Sequence, residues 1–161
     1  PFPAILLTPF VAIVGRQDLK IYWISIVLAA ATTWSLYRIL LKLELDRTTI
    51  NWILSGFVLG TGYWQIFRGS EWVWMFAQLT AVLFSILAIY ESMHKGRSWL
   101  AGLFLGAAFL SRQLSIFLTP FVLVLLWKNE IKKDRAVNLA GFISAIGFSI
   151  ALYLGDRKSV V

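Results

Sequence analysis

The 161 residues contain no cysteine, one histidine, four prolines and only eight acidic side chains. Without cysteine there is no disulfide, no thiolate metal site and no thiol nucleophile, and the redox compartment leaves no mark on the sequence. His94 has no second histidine to share a metal with, and it sits in a basic loop. Phosphate-cradling loops, HExxH and GxSxG are absent as well. Charge of either sign is scarce: Asp, Glu, Lys and Arg make up 14% of the chain, against about 25% in soluble domains.

Apolar residues fill the space left by the missing charge. They make up 59% of the chain, and the mean hydropathy is +0.76. The composition is that of an integral membrane protein, with the lipid bilayer as its first partner. A net charge of +7 would point to nucleic acid in a soluble domain. In a polytopic membrane protein it arises because cytoplasmic loops collect Lys and Arg, and no nucleic-acid partner is expected. The chain lacks an initiator Met, begins at Pro1-Phe2-Pro3 and leaves its last apolar run just before Gly155, so it reads as a fragment of a larger protein.

Apolar runs predict an all-α transmembrane bundle of about six membrane segments, forming a single domain over 1–161. Residues 1–15 are too short for a span, which needs about 20 residues, and are expected to form an interfacial helix. Spans are expected at about 21–41, 50–67, 72–90, 98–111, 113–127 and 137–154. Ala29 to Thr33 offers the first span a small-residue face for a neighbour. Gly56 with Gly60 and Gly102 with Gly106 have the GxxxG spacing of close helix packing.

The stretch 98–127 admits one helix or two. One helix would be about 45 Å long and would place Arg112 near its centre, at a cost of about 2.5–3.5 kcal/mol. Two helices avoid that cost and put nine basic residues on one side: Arg38, Lys42, Arg47, Lys95, Arg97, Lys128, Lys132, Lys133 and Arg135. Only Arg68 and Arg112 then lie in the two short loops opposite, which satisfies the positive-inside rule. Trp23, Trp64, Trp72 and Trp74 fall near span ends outside, and Trp52, Trp99 and Trp127 inside. This aromatic belt agrees with the topology without having been used to build it.

Candidate binding residues gather in the outer loops. Arg68 and Arg112 break the charge bias, and an arginine fork suits a phosphate because it can donate two parallel hydrogen bonds. Either one alone reads equally well as a side chain snorkelling to the headgroups; two at matching depth favour a bound phosphate. Glu71, Met75, Gln78 and Val82 share a helix face. Glu71 can pair with Arg68, orient an acceptor sugar or help hold a divalent cation, for which the chain has no complete ligand set. A surface ion pair worth little is its alternative. Gln113 can add a hydrogen bond to a sugar or simply be solvated in a turn. Asp18 is an outer carboxylate in a polar segment, of the kind usually solvated.

The pieces "PFPAILLTPFVAIVG", "YRILLKLEL", "GTGYWQIFRGSEWVWMFAQLTAVLFSILAIYE" and "GRSWLAGLFLGAAFLSRQLSIFLTPFVLVLLW" occur in that order. Over about residues 1–135 the chain resembles multi-spanning GT-C glycosyltransferases of the dolichyl-phosphate-mannose protein mannosyltransferase and aminoarabinose-transferase type, similar to glycosyltransferase family 39. In "LAGLFLGAAFLSRQ", Gln113 follows Arg112 where relatives often have proline. The resemblance implies transfer of a sugar from a polyprenyl-phosphate donor to a protein, lipid or glycan acceptor on the outer face. It also implies a cell (inner) membrane location in a bacterium or an ER location in a eukaryote. The catalytic Asp of such enzymes follows the first membrane helix, so it is expected upstream of Pro1, with no catalytic residue in this chain. Arg68, Glu71, Gln78, Arg112 and Gln113 would then bind substrate. A multi-pass transporter or a non-enzymatic membrane subunit is the alternative.

Overall fold

The structure is a computed structural model that describes residues 2–15, 20–68, 72–129 and 135–158. Among these there are helices and no strand. The helices are α1 (Phe2–Val14), α2 (Ile21–Lys42), α3 (Arg47–Ser55), α4 (Tyr63–Arg68), α5 (Val73–Ser92), α6 (Ser98–Ser111), α7 (Thr119–Asn129) and α8 (Arg135–Lys158). A π turn, Gly56–Gly60, continues α3, and a 3-10 segment, Gln113–Leu118, precedes α7. Segments Ile21–Lys42, Val73–Ser92 and Val137–Gly155 are long and apolar enough to cross a membrane; the other apolar helices are shorter. All eight tryptophans are exposed, none by less than 49%. Large indoles on the outside are at home in lipid and at its interface, where the ring is apolar and the N–H is wet.

The chain divides into two compact units, one comprising Pro3–Leu83 and the other Phe84–Val161 with Pro1–Phe2, so the division falls within α5. In the first unit, α2 buries Ser25, Leu28, Thr32, Ser35 and Ile39, spaced three and four apart along one face. Its hydroxyls turn back on their own helix: Ser25 donates to the Ile21 carbonyl at 3.0 Å and Thr32 to that of Leu28 at 2.7 Å. A polar group in hydrocarbon must be satisfied inside the protein, and this is the shortest route. The buried face is therefore offset from the expected Ala29–Thr33 run. In that run only Thr32 is buried, while Ala29, Ala30 and Thr33 line a groove.

Helix α3 starts on an N-cap. Asp46 accepts from the Thr49 N–H at 3.0 Å and from the Thr49 hydroxyl at 2.5 Å. These two hydrogen bonds hold the Asp46 carboxyl below its ordinary value of 3.8. A carboxyl depressed by folding stabilises above its unfolded value, and that contribution is lost as pH falls through the folded one. The protection of the Thr49 amide, its exchange rate relative to an unstructured amide at the same pH, is therefore expected to fall in acid. At neutral pH it should fall in Asp46→Ala and little in Asp46→Asn, which keeps a capping oxygen.

Residues 50–67 form an interrupted rod. After the π turn, Thr61 is extended (φ −103°, ψ 170°) and α4 begins at Tyr63. Gly56 and Gly60, expected to be packing sites, have nothing within 4 Å of where a Cβ would stand. Their role is to loosen the helix, since glycine is about 1 kcal/mol poorer than alanine as a helix former. Thr61 repairs the gap, donating its hydroxyl to the Phe57 carbonyl at 2.5 Å and accepting from the Tyr63 N–H at 3.2 Å.

In the second unit α6 is the central rod, burying eight residues including Ala101, Leu105 and Ala108. Ala101 and Leu105 pack with Ala88 of α5, Val122 and Leu126 of α7, and Phe142 and Ile146 of α8. Gly102 and Gly106 do form the expected seam. A Cβ on Gly102 would stand 2.6 Å from the Phe142 carbonyl oxygen, and one on Gly106 would stand 2.8 Å from the Ser149 Cβ. Ser98 donates to the Asn138 carbonyl at 2.7 Å, and at the far end Phe109 meets the Tyr153 ring edge-on with centroids 5.5 Å apart. These pairings advance together along both helices, so α6 and α8 run parallel, and α7 makes the return between them.

Candidate functional site

Helix α4 and the start of α5 border an open chamber of about 470 Å³, lined by Trp64, Gln65, Arg68, Trp72, Trp74 and Met75. On a helix, positions 64, 65 and 68 fall on adjoining sides of one turn, so the six-residue α4 presents an indole, an amide and a guanidinium together. The lining contributes one cation, one carboxamide and three indoles, a set rich in N–H donors. Such a set suits an anion or a hydroxyl-bearing ligand, and the indole faces add apolar platforms.

Beside it lies a groove of about 540 Å³ between α2, α3 and α4. Its walls are Ala29, Ala30, Thr33, Trp34, Leu54, Val58 and Tyr63 among others, and Trp64 lines both spaces. The small residues of α2 leave the space, and the aromatic residues bound it. The result is a cationic chamber sharing one wall with an apolar trough.

Of the residues singled out from sequence, Arg68 lines the chamber and is exposed to it. Glu71 lies outside the described residues, as does Asp18. Gln78 is half-buried on α5, one turn beyond Met75 and away from the chamber's described lining. Arg112 and Gln113 belong to the other unit. Arg112 is the extended C-cap of α6 (φ −145°, ψ 115°), with an exposed side chain. Its N–H donates to the Ala108 carbonyl at 2.8 Å, and its carbonyl accepts from the Ser115 N–H at 3.0 Å. Gln113 donates through Nε2 to the Tyr153 hydroxyl, which pins the turn to α8. The association of Arg68 with Arg112 at one face thus rests on the pattern of loop charge in the sequence.

His94 is occupied in its turn, with Nδ1 at 2.9 Å from the Tyr90 carbonyl; a carbonyl partner requires that nitrogen to carry the proton. Nearby, Arg97 approaches the buried Glu91 carboxylate at 3.6 Å and closes the same turn. Among the described residues no group of three or more His, Asp or Glu is placed to hold a metal ion. The sequence pattern placed Trp64 in the outer aromatic belt and did not single out Gln65 or Tyr63. The available signal was Gly60-Thr61-Gly62, a breaker pattern inside an apolar run, which marks the start of a separate short helix.

Long, indole-studded apolar helices with a cation-lined chamber define an integral membrane protein equipped to hold a polar or anionic ligand at a helix end. A family profile described as dolichyl-phosphate-mannose-protein mannosyltransferase matches residues 1–153. The chain belongs to this family of membrane glycosyltransferases, which draw on a lipid-linked sugar donor. No curated protein and no solved structure matches the chain.

Proposed function

We propose that this chain forms the donor-binding wall of a membrane glycosyltransferase. The enzyme transfers a sugar from a polyprenyl-phosphate-linked donor to a protein, lipid or glycan acceptor at the outer membrane face. The observation that carries this reading is the wall shared through Trp64 by the Arg68 chamber and the apolar trough. A donor of this kind has a sugar, a phosphate and a long hydrocarbon tail. The chamber offers the first two N–H donors and a cation, and the trough offers the tail a surface without polar demands. Both volumes lie within the roughly 300–1,000 Å³ usual for small-molecule sites. The excess of basic residues in the opposite loops supports an outward-facing chamber.

In the reaction the acceptor hydroxyl attacks the anomeric carbon, and a carboxylate outside the residues assigned here takes its proton. The bond from the anomeric carbon to the phosphate oxygen breaks, and its electron pair leaves with the polyprenyl phosphate. Arg68 stabilises the charge that develops on that oxygen; Arg112 is the second candidate, with Gln78 and Gln113 offering amides for sugar hydroxyls. Membrane vesicles holding the intact protein, supplied with radiolabelled polyprenyl-phosphate mannose, are expected to pass label to an acceptor. Absence of transfer from this donor and from other polyprenyl-phosphate sugars would overturn the proposal.

One observation favours a second reading. The break between α3 and α4 is of the discontinuous-helix type that transporters use at substrate sites. A transporter moves the labelled donor across the membrane without breaking its glycosyl bond, so the same vesicles separate the two readings.

A further inference from the structure

We infer that Tyr63 is a positioning residue for Arg68, latching α4 to α2 so that the guanidinium faces the chamber. The inference rests on the proposal that Arg68 binds the donor phosphate. Helix α4 has six residues, too few to hold itself in place by its own backbone. It is also cut off from the direction of α3 by the extended Thr61. Side chains must therefore place it, and among the described side chains of α4 Tyr63 is the buried one, at 5% exposure.

The Tyr63 hydroxyl donates to the Ala29 carbonyl at 3.1 Å, across 34 residues of sequence. That carbonyl lies in the interior of α2 and also receives the Thr33 hydroxyl at 3.1 Å. The Tyr63 ring packs on Phe57 with centroids 4.6 Å apart, and its N–H is held by Thr61. One residue is thus fixed by ring, hydroxyl and backbone to three different segments. Arg68 stands five residues further along the same helix, where a small rotation of α4 becomes a displacement of the guanidinium. Binding a phosphate through two parallel hydrogen bonds tolerates little of that, because the fork is planar and directional.

The test uses the intact protein in membranes. Tyr63→Phe keeps the ring and removes only the latch. The KM for the lipid-linked donor is expected to rise about three- to tenfold, the range open to one hydrogen bond, with the acceptor KM and the melting temperature unchanged. In an Arg68→Ala background the same change should have no further effect, because two residues acting through one contact are not additive. The 161 residues contain no cysteine, so Gln65→Cys on α4 gives a single reporter in this chain. Its labelling by a membrane-impermeant thiol reagent should change at least about threefold when Tyr63→Phe is added. An unchanged donor KM in Tyr63→Phe, where Arg68→Ala does raise it, overturns the latch and leaves the donor site standing. Additive effects in the double variant, or an unchanged labelling rate, also overturn the latch. An Arg68→Ala variant with an unchanged donor KM overturns the latch, and one with both donor KM and transfer rate unchanged overturns the donor site with it.

Discussion

Gly102→Ala is expected to destabilise the protein by about 3 kcal/mol, at the upper end of what overpacking usually costs. Two effects oppose each other. Alanine is the better helix former by about 1 kcal/mol, which would stabilise an unconstrained α6. The added methyl, however, would meet the Phe142 carbonyl oxygen at 2.6 Å and its Cα at 3.0 Å. Those atoms are backbone and cannot turn aside, so α6 and α8 must separate. Separation loosens the Ser98 to Asn138 bond and the contacts of Phe109 and Gln113 with Tyr153.

Gly106→Ala makes the contrasting case, because the methyl there meets the Ser149 side chain. Ser149→Gly should restore stability to Gly106→Ala and leave Gly102→Ala unrepaired. Melting in detergent, followed by the folded fraction in size exclusion, reads both. A Gly102→Ala protein that melts with the wild type would sink the close approach of α6 to α8.

Arg68→Ala is expected to lower the rate of sugar transfer about a hundredfold while leaving the melting temperature in place. Removal of one preorganised donor to a developing oxyanion typically costs about 10²–10³ in rate, and Arg68 is exposed at the chamber. Arg68→Lys should recover part of the loss, since it restores the charge without the planar fork. Initial rates with radiolabelled polyprenyl-phosphate mannose distinguish the three proteins. Equal rates for all three would remove Arg68 from the reaction. Together with Gly102→Ala the pair separates fold from chemistry: one variant melts early and the other melts normally but works slowly.

Features written in local sequence were legible from the outset. Runs of apolar residues located the long helices α2, α5 and α8, and Gly102 with Gly106 announced the close approach that α8 takes up. Charge bias and the cost of burying Arg112 pointed to a break where α6 now ends. Features that depend on distant partners were hidden. The buried face of α2 uses Ser25 and Thr32, whose hydroxyls look unfavourable in lipid until their bonds back to the helix are seen. Gly56 with Gly60 carried the same spacing as the true seam, yet among the described residues nothing stands within 4 Å of a Cβ placed on either. Spacing alone cannot tell a seam from a loosened turn. The chamber was half legible: Arg68 stood out as a cation in the wrong place. Trp64 and Gln65 did not, because an unbroken span would have carried them along its side instead of on a separate helix.

The parallel pairing of α6 with α8 also bears on how the chain is made. Partners along this seam are 40 residues apart, as with Ser98 and Asn138. A ribosome adding about 5–20 residues per second needs about 2–8 s to produce that interval. For that time the glycine face of α6 stands without its match. The seam therefore closes late in synthesis, after the turn at Arg112 has already been made.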